Sequence, residues 1–80
     1  MQRYLVVIEK GESSYGAYAP DVPGCVAAGK TEEEALQLIR EALEFHFEGL
    51  AESGEPIPPP SHIEAHFVEV SMPSVVPTRS

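Results

Sequence analysis

The chain has 80 residues, a mass of 8.7 kDa and a net charge of −8, from thirteen acidic against five basic side chains. That length makes one domain at most, and a chain this acidic is repelled by phosphate backbones, so direct nucleic-acid binding is not expected. A single cysteine, Cys25, excludes an internal disulfide, and no apolar run approaches the ~18 residues of a membrane span.

The elements in chain order read strand, strand, strand, helix, strand, tail. Residues 3–9 are apolar and rich in β-branched side chains, and the run is too short for a helix. Lys10-Gly11-Glu12-Ser13-Ser14 is a turn by composition, and residues 15–19 form a second, weaker strand. Val22-Pro23-Gly24-Cys25 suits a type II turn: Pro23 presets φ at its second position and Gly24 accepts positive φ at its third. Residues 25–29 follow as a third short strand. Three strands on short connections predict an antiparallel meander.

The helix is the clearest element. Thr31 is a good N-cap and Glu34, three residues on, completes a capping box. Glu32 and Glu33 fall in the first turn, where the helix dipole favours negative charge. The pattern runs to about Ser53, with Gly54 as the expected stop. At 3.6 residues per turn, Ala35, Leu36, Ile39, Ala42, Leu43, His46, Phe47 and Leu50 share one broad face. Glu34, Gln37, Glu41, Glu44, Glu48 and Glu52 share the opposite side, with Leu38 and Phe45 at the edge between.

Pro56-Ile57-Pro58-Pro59-Pro60-Ser61 can enter neither a helix interior nor a central strand and is expected to be a stiff extended connector. Residues 63–70 read as a fourth strand, and residues 71–80 as an irregular tail. The domain therefore spans 1–70. The expected fold class is α+β, in the order β-β-β-α-β, with the Leu36/Ile39/Leu43/Phe47 face of the helix covering one side of the sheet. Tyr4, Val6 and Ile8 alternate with Leu5 and Val7, so the other side is apolar as well. An uncovered apolar face points to self-association, as a dimer or tetramer, or to a partner. So does size: about 60% of the unfolded surface is buried in so small a domain, and its core supplies roughly 3–5 kcal/mol.

Candidate chemistry is sparse. Cys25 opens a small-residue strand without a base or helix N-terminus beside it, and is expected to be a buried structural thiol. His46, on the apolar helix face, is expected to be buried and hydrogen-bonded. His62 and His66 stand roughly 13 Å apart if their segment is extended, too far to share a metal. Asp21 lies between two prolines, where the choice is between a catalytic carboxylate and an Asx-type bond to local backbone. Glu41, Glu44, Glu48 and Glu52 set like charges three and four residues apart, which destabilises a helix by a few tenths of a kcal/mol per pair. They are either a solvated face or a surface complementary to a basic partner. There is no nucleotide-binding or nucleophile-elbow motif, and no cofactor or metal is expected.

Three segments taken together resemble one family. They are Tyr18-Ala19-Pro20-Asp21-Val22-Pro23-Gly24-Cys25, Gly29-Lys30-Thr31-Glu32-Glu33-Glu34-Ala35-Leu36 and Gly54-Glu55-Pro56-Ile57-Pro58-Pro59-Pro60-Ser61. Their order and spacing are similar to those of HicB-like antitoxins, over about residues 3–70. The resemblance implies a partial RNase H-like arrangement serving as a binding module rather than an enzyme. It implies a partner too: a small basic HicA-type toxin that degrades mRNA and whose active site the antitoxin covers. Opposite charge fits that pairing, and Asp21 with the 20–24 loop, Glu41, Glu44 and Glu48 are then the expected partner-facing residues. Many members carry a C-terminal DNA-binding domain. Only residues 71–80 follow the core here, so the expectation is a short stand-alone member without operator binding of its own. An orphan structural or regulatory oligomer without a toxin is the alternative reading. One free thiol and no export signal point to the cytoplasm.

Overall fold

The computed structural model describes residues 2–74. Strands β1 (Val7–Lys10), β2 (Tyr15–Tyr18) and β3 (Val26–Gly29) form an antiparallel sheet in the order β1-β2-β3, and helix α1 (Glu32–Glu52) packs across it. The register sets Ile8, Ala17 and Ala27 opposite one another in one row, and Val7, Tyr18 and Val26 in the next. Side chains of neighbouring rows point to opposite faces. The Ile8–Ala17–Ala27 row faces the helix and belongs to the core; the Val7–Tyr18–Val26 row lies on the uncovered face.

Local chemistry sets each boundary. The Cys25 N–H donates to the Val22 carbonyl at 3.2 Å and Gly24 has φ of 87°, as the type II turn requires. Thr31 caps the helix, its Oγ1 accepting from the Glu34 N–H at 3.0 Å. The Glu34 carboxylate reaches back to the Lys30 N–H at 2.6 Å, one residue before the cap itself. At the far end Gly54 has φ of 71°, the Glu55 N–H bonds the Leu50 carbonyl and the Gly54 N–H bonds that of Ala51. That pair of bonds is a Schellman motif, and it requires the left-handed conformation that glycine supplies.

The core is small. Ala17, Ala19, Val22, Cys25, Ala35, Ile39 and Leu43 are its buried members, and only Ile39 and Val22 among them are large and fully enclosed. Tyr4, Val6, Ile8, Tyr15 and Phe47 pack around it, half-buried, with the Tyr4 and Phe47 rings 5.0 Å apart.

Three sequence expectations are corrected. The fourth strand expected over residues 63–70 is not formed: this stretch is extended, exposed and without a ladder partner among the described residues. Apolar, β-branched composition suits a segment to a sheet but does not by itself seat it on an edge, and the outer edge of β1 stays unpaired among the described residues. His46, expected to be buried, is exposed. The helix, at 1.5 Å per residue, is about 31 Å long, while four-residue strands reach only about 13 Å. Its last two turns therefore overhang the sheet, and the face that buries Ile39 and Leu43 no longer meets a strand at His46. Leu36, also assigned to the buried face, is likewise exposed. The part of the expected 71–80 tail beyond Ser74 lies outside the described residues.

Candidate partner-binding surface

The overhang creates the surface most suited to a partner. Between the 23–26 turn and the C-terminal half of α1 lies an open groove of about 690 Å³, lined by Gly24, Cys25, Val26, Phe45, His46 and Leu50 among others. Val26 and Phe45 are 66% and 77% exposed, so two large apolar side chains stand in solvent on its walls. Gly49, one turn after Phe45 on the helix, also lines it, and a Cβ there would meet nothing within 4 Å.

Along one border runs the acidic stripe. Glu41 and Glu48 stand four residues before and three after Phe45, one helical turn away on either side, with Glu44 beside them. All three glutamates are exposed. Glu41 accepts from the Gln37 amide at 2.9 Å, and the only close carboxylate–basic side-chain contact among the described residues is Glu64–His66, 3.2 Å apart on an exposed stretch. The stripe is therefore not neutralised by the described parts of its own chain.

Asp21 does different work. It is half-buried, and its Oδ2 accepts the Ser61 N–H at 2.8 Å, across 40 residues of chain. The Asx-type bond considered for it is to distant rather than local backbone. With the Tyr4 hydroxyl bonded to the Pro58 carbonyl, it ties the proline connector down onto the body. Asp21→Ala is expected to release that connector. Amide hydrogen exchange at Ser61 should rise to the unprotected rate while the helix stays protected, and an unchanged Ser61 rate would show that the bond contributes nothing.

The catalytic alternatives gain no geometry. Cys25 is buried, and desolvation pushes its thiol above the ordinary value, which keeps it protonated and unreactive at neutral pH. Among the described residues no three His, Cys, Asp or Glu side chains gather where a metal could sit, and no helix is long and apolar enough to cross a membrane.

The structure thus gathers Glu41, Glu44 and Glu48 into one stripe, leaves Asp21 apart from it, and adds Val26, Phe45 and His46. Helical periodicity sets Phe45 at the edge of the apolar face; its place one turn from two glutamates is the signal in the sequence that marks it.

A family model for the HicB-like antitoxin of bacterial toxin–antitoxin systems matches residues 4–76. The chain belongs to the HicB-like antitoxin family. Among HicB-like relatives, antitoxin HicB 2 of Photorhabdus laumondii is 38% identical over 68 residues, 85% of this chain. The chain spans 49% of that antitoxin's length and 48% of a Haemophilus phage HP1 protein that it matches at 43% identity. Of solved structures, the N-terminal domain of Burkholderia pseudomallei antitoxin HicB is 38% identical with a TM-score of 0.62, covering 65% of this chain and 62% of that one. A chain of the HicA3–HicB3 toxin–antitoxin complex is 36% identical with a TM-score of 0.63, covering 72% and 69%. The α+β fold is therefore that of HicB N-terminal domains, in a family of antitoxins rather than enzymes.

Proposed function

We propose that this chain is an antitoxin that binds a small basic HicA-type toxin and covers its mRNA-degrading site. The observation that carries this reading is the exposed apolar groove at Val26 and Phe45 bordered by the Glu41/Glu44/Glu48 stripe. A toxin that grips RNA presents cations, and a partner with cations around an apolar side chain would match groove and border together. The likeness to a chain of a toxin–antitoxin complex supports the same partner. In this reading the chain competes with RNA for the toxin's electropositive patch and does not touch nucleic acid itself, consistent with its net charge of −8. The 20–24 loop contributes through Pro23 and Gly24 in the groove wall, while Asp21 holds the connector behind it.

Charge on a rim acts mainly on association rate and on its salt dependence. Glu44→Lys combined with Glu48→Lys should slow association with the toxin about tenfold or more at low ionic strength, with the difference shrinking as salt screens it. Surface plasmon resonance across a salt series reads this directly, alongside protection of a reporter mRNA. Equal association rates for both proteins at low salt would remove the acidic stripe from the interface. Failure to bind or inhibit any small basic RNase would favour the orphan oligomer instead.

A further inference from the structure

The loop at 19–25 is two turns joined at one buried side chain. The Val22 N–H donates to the Ala19 carbonyl at 3.0 Å, and the Cys25 N–H donates to the Val22 carbonyl at 3.2 Å. Ala19, Val22 and Cys25 are buried, so the loop is pinned to the core at three points. Its outward residues face two different tasks. Asp21, in the first turn, holds the Ser61 N–H at 2.8 Å. Pro23 and Gly24, in the second, line the groove.

The proline connector touches the same two places. Ser53 and Glu55, where it begins, line the groove, and Ser61, where it ends, is the residue that Asp21 holds. Four of the five residues at 56–60 are proline. The span from Glu55 to Ser61 is therefore a stiff rod of about 19 Å, at roughly 3.1 Å per residue. A rod held at one end sweeps an arc, and its base turns with it. The Tyr4 hydroxyl steadies this one at Pro58, and Asp21 ties its far end to the loop that forms the other groove wall.

We propose that Asp21 is a positioning residue for the groove. Its bond to Ser61 closes a ring of loop, rod and helix end, and the closed ring fixes the Pro23–Gly24 wall against the Glu55 wall. The consequence for binding rests on the antitoxin reading above. Asp21 does not itself line the groove, so its effect on a partner runs through the walls and not through its charge. Linkage makes the effect reciprocal: a partner that fits the closed ring stabilises the Asp21–Ser61 bond by the factor that the bond adds to its affinity.

Four variants separate the bond from the charge. Asp21→Ala removes the acceptor, and Ser61→Pro removes the N–H. Asp21→Asn keeps an acceptor oxygen and loses the charge. Ser61→Ala keeps the N–H and loses the hydroxyl that accepts from Ile63. Ser61 is exposed and follows three prolines, so proline there continues the extended run; unchanged far-UV circular dichroism will verify the fold. Amide exchange is read first, without a ligand. The Cys25 and Glu55 N–H groups, bonded to the Val22 and Leu50 carbonyls, report one wall each. Both should exchange about fivefold faster in Asp21→Ala and Ser61→Pro, a larger factor than at Ile39 and Leu43 in the helix, and should keep their rates in Asp21→Asn and Ser61→Ala. Affinity is read second, by surface plasmon resonance at physiological salt with a purified HicA-type toxin, the partner proposed above. Asp21→Ala and Ser61→Pro should each bind about fivefold weaker or more, the pair together no weaker than either alone, and Asp21→Asn as the unmodified protein does. Saturating toxin should slow Ser61 exchange in the unmodified protein by at least the same factor. Wall amides that keep their rates in both bond-breaking variants overturn the proposal, as does full toxin affinity in Asp21→Ala. Weak binding by Asp21→Asn with Ser61→Pro unaffected overturns it too, by putting Asp21 in direct contact with the toxin. Loosened walls in a protein that binds no basic toxin would retire the function proposed above and leave the positioning by Asp21 in place.

Discussion

Ile39→Ala is expected to unfold a large fraction of the protein at room temperature. Ile39 is 1% exposed, and with Val22 it is one of only two large side chains wholly inside the core. Removing three carbons from such a site destabilises by about 2–5 kcal/mol, through lost transfer energy and the cavity left behind. A single core of this size supplies roughly 3–5 kcal/mol in total, so the two quantities nearly cancel. The neighbours offer little relief. Ala17, Ala19 and Ala35 are alanines on a fixed backbone, with no flexible side chain to fill the space. Urea denaturation followed by circular dichroism at 222 nm should show a folded baseline that is shortened or lost. A midpoint within error of the unmodified protein would mean that the core is not where stability resides. The matched substitution Leu36→Ala, on an exposed position of the same helix, should change the midpoint little.

Gly29→Ala should destabilise by about 1–3 kcal/mol, although it adds a single methyl group. Here β3 passes directly beneath the start of α1. A Cβ on Gly29 would lie 2.7 Å from the Ala35 nitrogen and 3.0 Å from the Glu34 carbonyl carbon. Those are backbone atoms of the first turn, held by the Thr31 cap, and they cannot swing aside as the end of a long side chain would. Relief requires the whole helix N-terminus to lift from the sheet, which reopens the contact around Ala35, itself 0% exposed. Gly49→Ala is the control. It lies inside α1, near its C-terminal end, where a Cβ meets open space, and alanine is the better helix former by about 1 kcal/mol, so stability should rise. Thermal melts of the two variants moving in opposite directions are the expected result. Equal tolerance at both positions would contradict the close approach of β3 and α1.

What could be read from sequence was whatever neighbouring residues decide among themselves. Thr31 and Glu34 cap a helix through bonds three or four residues long, Gly54 ends it, and Pro23-Gly24 makes a turn that closes within four residues. The alternation in strand 1 correctly divided Tyr4, Val6 and Ile8 from Leu5 and Val7. The misreadings at His46 and at residues 63–70 both involve distance in space. Helical periodicity placed His46 on the inner face, and it is in line with that face, but periodicity carries no information about where the sheet beneath stops. The 63–70 segment has the composition of a strand, yet pairing depends on an edge elsewhere. The tie between Asp21 and Ser61 spans 40 residues and leaves no local trace. The groove was partly legible in Phe45, which did not fit the buried face; Val26 and His46 became groove walls only once the helix outran the sheet.

The connectivity of the sheet also bears on when the protein takes shape. Each strand pairs with the strand next to it in the chain, and the helix lies most extensively on β3, the element just before it. Such local topology folds quickly, because little loop-closure entropy is lost before contacts form. All three strands and the helix lie before Ser53, so none of their mutual contacts needs the proline connector. The sheet and helix can therefore close first, which leaves the Tyr4–Pro58 and Asp21–Ser61 bonds as the last to form in folding and the first to open in native-state exchange.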